Sequence, residues 1–284
     1  MATVSTDLLP QLAAVRVPER SVANDLRAIK IVWQRELMRF WSDRPRLIGT
    51  LIQPMLYLFV LGTGLGSMIP HSGGLDFRTF IFPGVVMMAV LFTCFFSAGS
   101  LVWDREFGFM REMLVAPIRR ASIVVGKCLG GATVGTIQGL IVLSIAGLVG
   151  VPYAPALLSK LVVELVLISF ALTSMGVLLS CRIRSAQAFM AVMQMVLMPL
   201  FFISGAMFPL QGLPRWLEVL TRLDPITYAV DLLRRTVLTQ LGMIAVPGVT
   251  WGGWTVPITV ELGLLGVFAI VALAGAVVAF DKSE

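Results

Sequence analysis

The side chains that support catalysis are sparse in this sequence. A single histidine, His71, excludes every multi-histidine metal constellation, and the three cysteines, Cys94, Cys128 and Cys181, are too scattered for a disulfide framework or a zinc site. No metal site is expected. Glycines cluster as GTGLG at 62–66, but the Gly-Lys-Ser/Thr of a phosphate-binding loop does not follow, and the run closes an apolar stretch instead of a strand. Close helix packing accounts for those glycines better. Asp224 and Asp231 are the carboxylates available for transfer chemistry on a lipid, although Asp224, followed by Pro225, reads first as a helix cap. Glu164 and Glu261 fall near the ends of apolar runs, and because a charge in hydrocarbon is costly each is a candidate proton-coupling group. Neither has a mid-membrane partner in the sequence pattern, so pairing with Lys160 or an outer arginine is the plainer reading. A membrane enzyme and a proton-coupled carrier therefore stand as alternatives, and the leading expectation is a chain that catalyses nothing itself.

The elements that carry these groups follow from composition. The chain has 284 residues, 57% hydrophobic and 13% charged, with a mean hydropathy of +0.90. An ordinary soluble domain is about 45–50% apolar and roughly a quarter charged. A globule of this size could not hide so much apolar surface, and disordered chains have the opposite composition. The fold class expected is all-α integral membrane. Six continuous apolar stretches are long enough to cross a bilayer, at about 47–66, 80–102, 129–151, 157–179, 189–208 and 256–280. Barrel strands would alternate instead. Residues 1–24 form a tail without a signal-peptide pattern, 25–46 an interfacial helix, 47–280 the membrane domain and 281–284 a second tail.

The net charge of +6 and pI near 9.7 are read as topology signals, not as a nucleic-acid site. With the N-terminus inside, the inner segments hold 16 of the 22 Lys and Arg residues and the outer ones 6, namely Arg78, Lys160, Arg215, Arg222, Arg234 and Arg235. That bias predicts both termini in the cytoplasm.

Three connections do more than connect. Before the first span, Leu26, Ile29, Trp33, Leu37 and Phe40 repeat at helical spacing with Arg27, Lys30, Arg35 and Arg39 around them. Such a helix lies flat among headgroups or simply anchors topology. The stretch WDREFGFMREMLVAPIRRASIVVGK, 103–127, sets Phe107, Phe109 and Met110 among charges of both signs, with Pro117 dividing it. It reads as a docking surface for a soluble partner or as a solvated loop. In 209–257, Pro214 opens one short amphipathic helix through Trp216 and Asp224-Pro225 opens a second through Tyr228 and Arg234. Both would sit in the outer interface or dip back into the membrane.

With these features in view, the chain resembles the permease subunits of type-2 ABC exporters, and most closely the daunorubicin-resistance and nodulation-factor export permeases. The resemblance runs from about residue 25 to the end and is carried by REFGFMREMLVAPIRR…GK at 105–127 and FPLQGLPRWLEVLTRLDPITYAVDLLR at 208–234. It implies two copies of this chain working with two P-loop ATPase subunits, which would hold ATP and Mg while this chain holds no cofactor. Arg105, Glu106, Phe107, Gly108, Phe109, Met110, Arg111 and Glu112 would form the coupling helix in a cleft of the ATPase, Glu106 by a charged contact and Gly108 by a close turn. The interfacial helix, with Trp33, Arg35, Leu37 and Phe40, would pack beside it. Trp216, Asp224, Pro225, Tyr228 and Arg234 would belong to outer re-entrant helices. The fifth spans would face each other, and their soft residues Met190, Met193, Met195, Met198, Phe201 and Phe202 would offer either a translocation surface or dimer and lipid packing. The implied cargo is hydrophobic or amphipathic, a drug, antibiotic or lipid, with polysaccharide or lipo-oligosaccharide as the alternative. The implied place is a bacterial-type cytoplasmic (inner) membrane.

Overall fold

The computed structural model describes residues 21–66, 76–116, 118–210, 212–242 and 248–283. His71, Pro117 and the first 20 residues of the predicted tail lie outside these. The chain is all-α with six helices long and apolar enough to cross a membrane. In order they are the first span Leu47–Gly66, then α4 (Phe77–Glu106), α6 (Arg120–Leu143), α7 (Pro155–Ser180), α8 (Ala186–Ile203) and α11 (Ile258–Ser283). The first span consists of most of α2 (Arg44–Leu56), one π turn (Tyr57–Leu61) and α3 (Gly62–Gly66). Pro54 supplies no N–H to the helical ladder, and the wider turn follows it, as expected where a ladder must be re-formed. Before the spans comes α1 (Val22–Ser42), between α4 and α6 comes α5 (Phe109–Val115), and before α11 come α9 (Arg215–Leu223) and α10 (Pro225–Gln240). A two-stranded hairpin of β1 (Thr250–Trp251) and β2 (Trp254–Thr255) turns on Gly252 and Gly253, both at positive φ.

The bundle is built on α4, α6 and α7, and glycine decides how closely they approach. A methyl on Gly131 would meet the Thr173 side chain at 2.4 Å, on Gly135 the Cys94 sulfur at 2.3 Å, and on Gly139 Val90 at 2.9 Å. These small residues, four apart on one face of α6, seat it against α4 and α7, as in membrane helix pairs generally. A second pair, Gly126 and Gly130, points elsewhere: their missing side chains are replaced by Val32 and Glu36 of α1. The interfacial helix is therefore packed onto α6.

Two boundaries differ from the apolar runs. The third span begins at Arg120, not near 129, because Asp25 of α1 accepts the Arg119 N–H at 3.0 Å and fixes the helix start. It stops at Leu143; a short 3-10 turn at Ala146–Val149 ends at Gly150, where φ is +79°. On α1 the fully buried positions are Ala28, Val32 and Glu36, one residue ahead of the expected Ile29, Trp33 and Leu37. That is a rotation of about 100°. Close contact with Gly126 and Gly130 favours the small flank of the helix, leaving Leu26, Met38 and Trp41 exposed.

Candidate functional site

At one end of the bundle α4 turns into α5 through Phe107 and Gly108, and Gly108 has φ +84°, which a side chain would strain. Met110 alone of α5 is buried, in a cluster with Leu101, Ile123, Val177 and Phe280. It is the anchor. The rest of the segment faces outward: Phe107 is 72% exposed and Val115 86%, with Phe109, Arg111 and Glu112 also exposed. Three aromatic or branched apolar side chains, two charges and a fixed turn make a protruding surface that the described residues do not cover.

Behind it lies a buried charge cluster that joins α1, α4 and α6. Lys127 is 2% exposed in its side chain, Glu36 3% and Asp104 0%. The Lys127 ammonium donates to Glu36 Oε1 at 2.8 Å, to Ser100 Oγ at 2.7 Å and to Asp104 Oδ2, so its three N–H donors have three acceptors. Ser100 donates in turn to Glu36 Oε1 at 2.9 Å. Arg35 and Arg39, from the same helix as Glu36, both reach Asp104 Oδ1, at 2.9 and 3.0 Å. Arg35 also lies over the Phe109 ring at 5.5 Å and donates toward the Met113 sulfur. One arginine thus touches the last turn of α4 and both ends of the exposed helix. Trp33 donates to Thr133 of α6 at 3.0 Å, and Phe40 stacks edge-on against Trp41.

Glu106 and its neighbour engage a different element. The Glu106 Oε2 accepts the Ala186 N–H at 2.8 Å, at the first residue of α8. Arg105 donates to the Ile183 carbonyl at 2.8 Å and the Ser180 carbonyl at 3.4 Å, at the end of α7. The free N–H groups of a helix start attract a carboxylate, and Glu106 makes this inward contact while remaining exposed. Together the two residues clip the end of α4 to the α7–α8 turn.

At the opposite end, Arg234 is buried and donates to the Gly205 and Ala206 carbonyls at 2.7 and 3.1 Å, with its guanidinium 4.3 Å from the Phe80 ring centroid. It ties α10 to the turn after α8 and to α4. Arg235 donates to Val256 O at 2.6 Å and pairs with Asp231 at 2.8 Å and Glu261 at 3.4 Å. Glu164 accepts from the Thr236 hydroxyl at 2.6 Å. Glu164 and Glu261 are held by separate partners on α10. Tyr228 donates to the Arg222 carbonyl and accepts from the Trp251 indole, while Trp216 is exposed.

Asp224 caps α10, accepting the Ile226 N–H at 2.9 Å ahead of Pro225. Its burial pushes the carboxyl from 3.8 up to about 7, with the Ile226 N–H and the Thr227 hydroxyl pulling the other way. The native state therefore holds a proton that the unfolded chain has released between these values. This contribution to stability is complete below about 3.8 and is lost as pH rises through about 7. Asp224→Asn should keep the cap and flatten the slope of thermal stability between pH 5 and 8. Asp224→Ala should flatten the slope in the same way and, having lost the cap, lie about 0.5–2 kcal/mol below Asp224→Asn at any pH. An unchanged pH slope in Asp224→Asn would remove the carboxyl from this role.

On α8, Phe189, Met193, Leu197 and Phe201 face the bundle and are buried. Met193 and Phe201 are consequently part of the core and not of an exposed surface. Gln187, Met190, Gln194, Met195 and Phe202 lie on the other face, Met195 79% exposed, and Met198 is half-buried beside them.

The fold and these two ends define a polytopic helical membrane protein, with no group of metal-binding side chains among the described residues and no P-loop in the sequence. The chain belongs to the ABC-2 type transporter family, whose model matches residues 27–238. It is similar to Nodulation protein J of Rhizobium leguminosarum bv. viciae, 29% identical over 220 residues that cover 74% of this chain and 82% of the relative. The bv. trifolii protein of the same name is 30% identical over 218 residues, 73% and 80% of the two chains. Inner membrane transport permease YadH of Escherichia coli K12 is 29% identical over 242 residues, covering 84% and 92%. The family match includes α1 from residue 27 on, the exposed helix and the charge cluster.

Glu36, Ser100, Asp104 and Lys127 were not among the expected site residues. Two signals were present: Lys127 stands inside an apolar, glycine-rich run, and Glu36 is an acid between Arg35 and Arg39 of α1.

Proposed function

We propose that two copies of this chain form the membrane path of an ATP-driven exporter, each docked through Phe107, Phe109, Arg111, Glu112 and Val115 on a separate P-loop ATPase that binds ATP and Mg. The observation that carries the reading is the exposed helix α5, fixed to the membrane bundle by Met110, by Arg35 and by the Arg105–Glu106 clip. A shift of α5 would reach α1 through Arg35 and α8 through Glu106, so closure of the ATPases would move two elements at once. The Lys and Arg bias supports reading this end and both termini as cytoplasmic, in an inner-type membrane.

The outer face of α8 is the surface assigned to the second copy and to the cargo. Its methionines suit an apolar partner of variable shape. Gln187 and Gln194 on the same face give it hydrogen-bonding groups, which favours an amphipathic cargo over a purely apolar one and keeps a lipo-oligosaccharide as the second reading. Met195→Trp overfills this face and should lower export by at least about fivefold, by analogy with the cost of overpacking. Assembly should be intact; full export by this variant would discard the surface. The reading as a whole is tested by ATP hydrolysis in lipid nanodiscs, first with this chain alone and then with the P-loop protein encoded beside it. Hydrolysis stimulated only in the complex supports it. No complex and no stimulation would transfer attention to proton coupling, with Glu164 and Glu261 as the residues to change.

A further inference from the structure

At the end of the bundle opposite α5, the starts of α7 and α11 and the end of α10 leave a pocket of about 470 Å³. Its walls are apolar, with Val163 of α7 on one side and Leu262 of α11 on the other, and Lys160 and Glu164 are its charged lining. Glu164 is only 6% exposed; its Oε1 accepts from the Thr236 hydroxyl, and its Oε2 has no hydrogen-bond partner. A buried carboxylate oxygen without a donor is costly, and a bound cation is one way to satisfy it. Behind Glu164 stand Asp231 and Glu261, both fully buried, which share the single guanidinium of Arg235. Arg234 is turned away, to the Gly205 and Ala206 carbonyls. Three buried acids thus face one paired base, and the pocket floor lacks positive charge. Lys160, one turn before Glu164, is exposed and makes no ion pair among the described residues. Residues 243–247, outside the described ones, are Met, Ile, Ala, Val and Pro and carry no charged side chain.

We propose that this pocket binds the headgroup of an aminophospholipid, its primary ammonium on Glu164, its phosphate on Lys160 and an acyl chain along Val163 and Val166 of α7. The acid and the base together select the headgroup. Glu164 needs a cationic donor, and a primary ammonium brings three N–H groups to it, whereas a trimethylammonium brings none. Lys160 needs an anion on the same side of the helix, because residues four apart are neighbours on one face. A zwitterion with ammonium and phosphate on adjacent atoms of one short linker meets both. Position in the bundle argues for a lipid over a soluble amine. α7 begins at Pro155 and α11 at Ile258, so both spans start here, at headgroup level. Val163 and Val166 are exposed, at 65% and 49%, and continue from the pocket toward the middle of the span. The site does not depend on which side of the membrane this end faces or on the ATPase.

The test is native mass spectrometry of the delipidated full chain in detergent, titrated separately with phosphatidylethanolamine, phosphatidylcholine and phosphatidylglycerol of the same acyl chains. Phosphatidylethanolamine should bind at least fivefold more tightly than either of the others. Glu164→Gln should erase its advantage over phosphatidylcholine. Lys160→Gln should weaken all three lipids several-fold and keep their order, because each carries the phosphate. If Glu164→Gln fails to fold, Val163→Trp gives a second reading: it fills the mouth of the pocket from an exposed position and should abolish the preference by itself. Equal binding of phosphatidylethanolamine and phosphatidylcholine overturns the proposal, as does a preference that survives either Glu164→Gln or Val163→Trp in a folded protein. Unchanged affinities in Lys160→Gln would remove the phosphate from the site and leave it to a cationic amphiphile, which also overturns the lipid assignment. So would displacement by millimolar phosphoethanolamine, which has both charges and no acyl chain.

Discussion

Replacing Lys127 by methionine is expected to cost about 3–5 kcal/mol of stability, the range for removing one partner from a buried ion pair. Methionine fills nearly the same volume, so the loss is electrostatic and not a cavity. Glu36 suffers most. Without the ammonium it keeps the Ser100 hydroxyl at 2.9 Å, the Ser97 hydroxyl at 3.5 Å and a distant Arg39 at 3.9 Å, while Asp104 still has Arg35 and Arg39 at about 3 Å. Two carboxylates that shared one cation then remain buried, at 3% and 0% exposure. The outcome should be visible as a large drop in thermal midpoint of the full chain in detergent. A second substitution identifies the cause: Glu36→Gln in the Lys127→Met background should recover a substantial part of the loss, because it removes the charge that was stranded. Each change alone should be harmful, and together they should be less harmful than their sum. Additive losses would mean that Lys127 and Glu36 stabilise the bundle through separate contacts, and the cluster would not be one unit.

That cluster also marks the limit of what could be read from sequence. The six spans were legible because an apolar run of about 20 residues has few other uses, and the two short helices around Asp224-Pro225 were legible because a cap and a proline at the first helical position are local chemistry. The side of α1 that faces inward was not. Apolar periodicity pointed to Ile29, Trp33 and Leu37, but the partner surface is a pair of glycines on a helix almost 100 residues away, and it selects Ala28, Val32 and Glu36. The same packing brings residues 36, 104 and 127 together. No local spacing announces a contact between three elements. The start of α6 was obscured for a related reason. Arg119, Arg120 and Lys127 made 103–127 look like a polar loop, whereas Asp25 caps Arg119 and Lys127 is neutralised inside the bundle. On α8, soft residues were read as one surface, and helical geometry splits them: Met193 and Phe201 inward, Met190, Met195 and Phe202 outward.

Glu106 provides the sharpest division between docking and transmission, because the motif suggests the first role and the geometry the second. Glu106→Ala should leave the ATPase bound, since Phe107, Phe109, Arg111 and Glu112 remain exposed and Met110 still anchors α5. What it removes is the hydrogen bond from Ala186 N–H, and with it the end of α4 loses its grip on α8. Deleting a helix-capping carboxylate costs about 1 kcal/mol, which corresponds to roughly a fivefold shift between two arrangements of the α4–α8 joint. The expected phenotype is uncoupling: ATP hydrolysis continues while the cargo moved per ATP falls about fivefold. Glu106→Gln, which keeps an acceptor for the N–H and loses only the charge, should lie between the two. Arg105→Ala should resemble Glu106→Ala, because it releases the other half of the clip at the Ile183 carbonyl. The measurement is cargo transport and phosphate release from the same proteoliposomes, with ATPase retention on the purified complex as the control. Loss of the ATPase from Glu106→Ala would return this residue to the docking surface. Retention with a normal transport-to-hydrolysis ratio would show that the ATPase drives the membrane helices without this joint, leaving Arg35 and the charge cluster behind α5 as the remaining route.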